Sequence, residues 1–238
     1  LTFPRFAPCG DSALTVEFGD DVDEAINAKV LDLASNILSS MPEGVEETIP
    51  TYRSLLVTYD PLVTSAARLR DLIAERLGNL SAHAFDRNGY TVPVFYGGEA
   101  CLDLDSLAAS RNMTPDAVIA THLSATYRVY MIGFVPGFAY LGGVPPELHT
   151  PRRAEPRQIV PAGAIGIGGA QGSINSVAGP SAWHFIGQTP LKPFDPERAR
   201  PFLFAAGDRI TFRRIGKDEF EAIQARAEAG EECLEVSR

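Results

Sequence analysis

The chain is poor in the residues that build specialised chemistry. Its three cysteines, Cys9, Cys101 and Cys233, are scattered over 238 residues. They are odd in number and form no CxxC pair, which speaks against a disulfide framework or a zinc knuckle and fits a reducing cytoplasm. The histidines are His83, His122, His149 and His184, with no HxxxH spacing, so no metal is expected. Positive charge is also short: 21 Lys and Arg stand against 30 Asp and Glu, a formal charge of −9. Nucleic acid and anionic membrane both require a basic face, so generic binding to either is not expected. No apolar run approaches the ~20 residues of a membrane helix. The opening LTFPRFAPCG lacks the basic start and apolar run of a signal peptide. Ser181 is not in a GxSxG elbow, and no Gly-Lys-Ser/Thr or internal repeat occurs.

What is present makes a core. Hydrophobic residues reach 45% and charged residues 21%, an ordinary balance for a folded protein. Leu14, Val16 and Phe18 alternate with polar neighbours, the period of a half-buried strand. From Val22 the period becomes helical, through Ile26, Val30, Leu31, Ile37 and Leu38, with Asp20, Asp21 and Asp23 suited to the helix start and Pro42 and Gly44 to its end. Val45–Thr51 and Ser54–Tyr59 read as strands. A second helix places Leu69, Leu72, Ile73 and Leu77 on one face. Gly78–Gly89 reads as a connection, and Tyr90–Tyr96 as a strand whose Pro93 argues for an edge or an irregular ladder. The order strand, helix, strand, strand, helix, strand is the split βαβ, ferredoxin-like arrangement.

Beyond Gly97-Gly98-Glu99 the pattern changes. Leu104–Ser110 forms a short helix, and Thr114-Pro115-Asp116 starts another that carries Val118, Ile119, His122 and Leu123. Short strands are then expected at Val129–Phe134, Ile159–Pro161, Ala164–Gly168, Trp183–Gly187, Phe202–Phe204 and Arg209–Arg213, the last two joined by Gly207-Asp208. A surface helix is expected over Asp218–Ala229. Many short strands with few long helices imply a barrel or a sandwich. The fold class is therefore α+β, with domains 1–89 and 90–238.

Four segments carry more Gly, Pro, Arg and aromatic residues than a plain core needs. Ile132–Gly143 holds a Pro136-Gly137 turn, with Phe134, Phe138 and Tyr140 either lining a pocket or filling a barrel corner. Pro151–Arg157 holds Arg152, Arg153 and Arg157, whose guanidinium forks match carboxylate or phosphate oxygens; the alternative is a solvated loop in which Glu155 pairs one arginine. Val160–Gly172 is glycine-rich but spaced GxGxxxG, not as a dinucleotide fingerprint. Its backbone N–H groups could hold an oxyanion, or its glycines could serve close strand packing. Gly179–Gly187 contains Trp183, the only tryptophan, either a pocket wall or a core plug. His122 sits one turn after Val118, which by itself fits a core histidine better than a catalytic one.

The same segments resemble the family of the 5-oxoprolinase B subunit. The resemblance runs in order through Gly10–Leu14, Pro50–Val57, Tyr59-Asp60-Pro61, Val92–Glu99, Ile132–Gly143, Pro151–Gly163, Ile186–Leu191 and Phe194-Asp195-Pro196. Members also bear the names allophanate hydrolase subunit 1, carboxyltransferase C/D domain and inhibitor of a sporulation histidine kinase. The resemblance implies a ferredoxin-like N-terminal domain and a cyclophilin-like β-barrel. It further implies 5-oxoprolinase subunits C and A as partners, and ATP as co-substrate in cleaving 5-oxoproline to glutamate. By matching position it nominates His122, Arg153 and Arg157 as catalytic, and Arg152, Gln171, Trp183 and Tyr140 as substrate-binding. Kinase regulation, or carboxyl transfer to a urea-like amide, are the alternatives it implies. One departure bears on specificity. The family usually reads Gln-Thr-Gly-Ile-Tyr-Pro and Ser-Pro-Gly-Gly-Trp, where this chain has Gln171-Gly172-Ser173-Ile174-Asn175-Ser176 and Gly179-Pro180-Ser181-Ala182-Trp183.

Overall fold

The computed structural model describes residues 2–78, 80 and 88–236. The chain divides into two compact units, Leu1–Asp86 and Arg87–Arg238. Most of the expected connection Gly78–Gly89, including His83, lies outside the described residues.

In the first unit the elements are β1 (Arg5–Pro8), β2 (Ala13–Glu17), α1 (Glu24–Ser40), β3 (Val45–Pro50), β4 (Ser54–Tyr59) and α2 (Ala66–Leu77). The four strands form one antiparallel sheet in the order β1-β2-β4-β3. Leu14, Val16, Leu55 and Val57 alternate inward and meet Val30, Leu33 and Ile37 of α1 and Leu69 and Ile73 of α2. Two expectations need correction. Helix α1 begins after Val22, because the Asp23 side chain caps it by accepting from the Ile26 N–H at 2.9 Å. Val22 and Leu38 are both exposed. Leu38 is one residue past the buried Ile37 and so turns about 100° off the core face; Leu33 fills the place instead. The strand beginning at Tyr90 does not enter this sheet. Arg5–Pro8 takes the position beside β2.

The second unit contains β5 (Gly89–Val94), α3 (Leu104–Ser110), α4 (Pro115–Ser124), β6 (Tyr127–Ile132), β7 (Ala139–Gly142), a 3-10 turn at Pro146–Leu148, β8 (Arg157–Val160), β9 (Ala164–Gly168), β10 (Gln171–Ile174), β11 (Gly179–Ser181), β12 (His184–Gln188), β13 (Arg209–Arg214), α5 (Lys217–Glu228) and β14 (Glu235–Val236). Eight strands form a sheet in the order β12-β9-β10-β7-β6-β13-β5-β14, while β8 and β11 pair separately. Helix α4 starts as its sequence dictates, with Thr114 Oγ1 accepting from the Ala117 N–H at 3.2 Å and Pro115 in the first turn.

The expected barrel is not a closed ladder among the described residues. Strand β14 takes the outer edge of β5 at Tyr90 and Thr91. The two ends of the sheet touch only at a single bridge, Phe95 with Gln188, through N–H···O bonds of 2.8 and 2.9 Å. Pro93 sits where β5 pairs on one side only, with Arg213 of β13, so its missing N–H is tolerated. Phe202–Phe204 is not a strand; Phe202 makes only an isolated bridge to Phe194. Strands β7, β10, β11 and β14 are two to four residues long, too short for alternation to reveal them.

Candidate functional site

The glycine-rich third segment is a hairpin rather than an open loop. Strand β9 turns through Gly169-Ala170 into β10, with Gln171 opposite Gly168. Its glycines make room for aromatic rings. A Cβ on Gly168 would lie 2.6 Å from the Trp183 indole, and one on Gly166 would lie 2.8 Å from the Phe185 ring. The Gly169 N–H is spent on the Thr150 carbonyl at 2.7 Å. Close packing is thus what these glycines do.

The arginine loop is pinned around Trp183, not solvated at random. Thr150 exchanges backbone hydrogen bonds with Gly169. The Pro151 carbonyl is 3.0 Å from His184 Nε2, and the Arg153 N–H donates to the Ala182 carbonyl at 2.7 Å. These contacts suspend Arg152 over the indole, its guanidinium carbon 5.2 Å from the ring centroid. Stacking of this kind stabilises a cation without removing its charge. Arg152 also donates to Gln171 Oε1 at 3.3 Å. Gln171 is a neutral acceptor and is Arg152's one hydrogen-bond partner among the described residues.

Around that stack lies an open pocket of about 260 Å³, lined by Phe134, Phe138, Tyr140, Arg152, Pro156, Pro180, Ser181, Ala182 and Trp183. Among the described residues no carboxylate is in its wall. Tyr140 stands 4.6 Å from Phe138 and 6.0 Å from Trp183, centroid to centroid. Burial pushes the Tyr140 phenol up, and Arg152 draws it partly back, so it stays protonated as a donor. The Pro136-Gly137 turn supports the rim. Gly137 has φ +78°, and a Cβ there would meet Phe194 at 2.6 Å. Phe134 also has positive φ, +65°, and is 65% exposed at the mouth. A left-handed aromatic residue is strained, and such strain gathers at functional sites.

The other two arginines of the loop face a different partner. Arg157 holds Asp103 with a two-pronged contact, Nη2 to Oδ1 at 2.6 Å and Nη1 to Oδ2 at 2.9 Å. Arg153 Nη1 approaches Asp103 Oδ1 at 3.4 Å. The Phe185 N–H donates to Asp103 Oδ2 at 2.8 Å. Asp103 is 2% exposed, and its side chain makes no cap bond to α3 even though it stands at the cap position. The carboxylate that answers the arginines is therefore Asp103 and not Glu155. Asp103 was invisible to sequence reasoning because an Asp before a short helix reads as its cap, while its partners lie 50 and 54 positions away.

His122 lies apart from the pocket. It is buried in α4, with its ring stacked on Phe212 at 4.5 Å and its Nδ1 2.7 Å from the Tyr96 hydroxyl. Tyr127 donates to its backbone carbonyl at 3.0 Å. Burial pulls the imidazole down to about 3 and raises both phenols, so the cluster is neutral. The structure thus brings together Tyr140, Arg152, Gln171 and Trp183, sets Arg153 and Arg157 on Asp103, and leaves His122 in the core. Among the described residues there is no group of three or more His, Cys, Asp or Glu side chains that could hold a metal, and no helix is long and apolar enough to cross a membrane.

A mixed α/β protein of two units, with an arginine–tryptophan pocket in the second, is the class these features define. The chain belongs to the family of the carboxyltransferase domain, subdomain C and D, whose model matches residues 4–204, and within it to the 5-oxoprolinase B subunits. It is 35% identical over 224 residues to the 5-oxoprolinase B subunit of Bacillus subtilis, covering 90% of this chain and 93% of that one. The solved structure of TTHA0988 matches with a TM-score of 0.77 and 35% identity; the match covers 86% of this chain and spans 40% of that longer one. The urea carboxylase of Kluyveromyces lactis matches with a TM-score of 0.82 at 18% identity, over 98% of this chain and 23% of that one, a likeness of fold.

Proposed function

We propose that this chain is the B subunit of an ATP-dependent 5-oxoprolinase, and that its pocket at Trp183 receives the carboxylate of 5-oxoproline. The observation that carries the reading is Arg152, stacked on Trp183 and answered among the described residues only by the neutral Gln171 oxygen. A guanidinium with donors to spare beside aromatic walls suits a small carboxylate on a compact, largely apolar ring. The lactam is stable, so opening it is coupled to ATP: ATP, 5-oxoproline and two waters give ADP, phosphate and glutamate. Phosphorylation of the lactam oxygen would supply the activation. A triphosphate calls for several converging cations, and this pocket offers one among the described residues. ATP is therefore placed outside it, and partner subunits A and C complete the active assembly. No metal is assigned to this chain.

We take the first unit as ferredoxin-like, with β1 standing in for the sixth element, and the second as cyclophilin-like, with the domain boundary close to residue 89. The setting is cytoplasmic.

The test is ATP-dependent glutamate release from 5-oxoproline by the chain reconstituted with its A and C partners. Arg152→Met removes one charge-assisted contact, worth about 1.5–3 kcal/mol, so activity at low substrate should fall ~10- to 100-fold. Unchanged activity of Arg152→Met in an active complex would overturn the reading.

A further inference from the structure

We infer that Asp103 is a positioning residue for the substrate pocket, acting through the arginine loop on Arg152 and Trp183. The inference rests on the pocket reading above and adds to it a residue outside the pocket wall. Three contacts join in one carboxylate. Arg157 grips both oxygens, Arg153 reaches one of them, and the Phe185 N–H reaches the other. The Asp103 N–H in turn donates to the Phe185 carbonyl at 2.8 Å. Asp103 is thus fastened to β12 by backbone and side chain together, two residues beyond Trp183. It also fastens both ends of the segment 153–157, immediately after Arg152.

Charge makes the arrangement selective. Clustered guanidinium groups repel, and three of them facing one pocket would suit a polyanion. Asp103 draws two of the three inward and leaves Arg152 as the one cation at the indole among the described residues. Its carboxylate sets both where Arg152 stands and how much positive charge the pocket shows. A planar two-pronged contact fixes direction as well as distance, so an amide or a lysine in place of either partner could not hold the same loop geometry.

Trp183 is the only tryptophan of this chain, so its fluorescence reports on this stack. Asp103→Asn is expected to red-shift the emission and raise acrylamide quenching about twofold, as water reaches an indole now 6% exposed. Arg157→Lys, which keeps the charge and loses the fork, should do the same and stands in if Asp103→Asn does not fold. Binding is then titrated with 5-oxoproline. Asp103→Asn should weaken it ~10-fold, the loss expected when one charge-assisted contact is misplaced. On an Arg152→Met background it should weaken it no further, because residues acting through one another are not additive. Within the reconstituted complex the effect should fall on KM, with kcat little changed. A variant that melts earlier yet keeps wild-type emission, quenching and affinity would show Asp103 to be merely structural and overturn the inference. Additive losses in the double variant would overturn it as well. If wild-type chain and Arg152→Met bind 5-oxoproline equally, the pocket reading fails, while the fluorescence arm still decides whether Asp103 positions the loop.

Discussion

Arg152 over Trp183 and His122 over Phe212 are the same kind of contact, a nitrogen-bearing plane stacked on an aromatic ring at 5.2 and 4.5 Å. Their surroundings make them opposites. Arg152 lies on an exposed loop beside an open pocket and meets one neutral acceptor among the described residues. His122 is sealed between Tyr96, Tyr127 and Phe212, and burial holds it neutral. Stacking alone therefore says little about function. A guanidinium is charged wherever it lies, so access to water decides whether it is available, whereas for an imidazole burial also removes the charge and leaves one more packed ring.

The largest contrast should come from the arginines themselves. Arg157→Met would take the two-pronged partner from the buried Asp103 carboxylate and leave it only Arg153 at 3.4 Å and the Phe185 N–H among the described residues; breaking one side of a buried pair costs up to about 3–5 kcal/mol. Arg152→Met touches an exposed contact and should cost less than about 1 kcal/mol. Urea melts of the two variants measure the difference. Equal melts would erase the distinction between a structural and a ligand-facing arginine within one loop.

Gly168→Ala should disturb the open stack from beneath. The added methyl would lie 2.6 Å from the indole, and overpacking of this sort costs about 1–3 kcal/mol. The expected sign is a lower melting midpoint together with a shifted Trp183 emission. A variant with wild-type emission would mean that the ring is not held where the stack requires.

The closed stack should show itself in pH. Burial lowers His122 from 6.5 to about 3 in the folded chain, so between those values the unfolded chain binds the extra proton. Stability from this source is complete above pH 6.5 and is lost as pH falls towards 3, by at most about 1.4 kcal/mol per pH unit. His122→Phe should lose stability at neutral pH, since Tyr96 forfeits its partner. It should also flatten the slope between pH 6.5 and 5, above the range where most carboxylates titrate. Activity of the reconstituted complex should change little. A large loss of activity without a loss of stability would return His122 to the site.

Much of the fold was legible because local chemistry specified it. Asp23 and Thr114 cap the helices they precede. Ser54–Tyr59 and Ala164–Gly168 are strands as their residues indicate, and Gly137 takes the positive φ that a Pro-Gly turn calls for. Of the residues that the resemblance nominated, Tyr140, Arg152, Gln171 and Trp183 lie together around one pocket. Pairing was not. Whether the strand at Tyr90 joins the first sheet or the second depends on which edge offers hydrogen bonds and a matching apolar face, and its partner β13 is far along the chain, with Ile210 opposite Tyr90.

The sequence by itself determined where a capped helix such as α4 begins, which residues are apolar, and that arginines, aromatics and glycines cluster in the second half. Only the tertiary structure decided what each member of those clusters does. Three arginines within six residues are chemically alike on paper. One buried carboxylate, brought in from Asp103, pairs with two of them and leaves Arg152 beside the pocket, because a desolvated charge must be matched where it lies. The same holds for His122, whose neutrality follows from the rings that three distant segments fold around it.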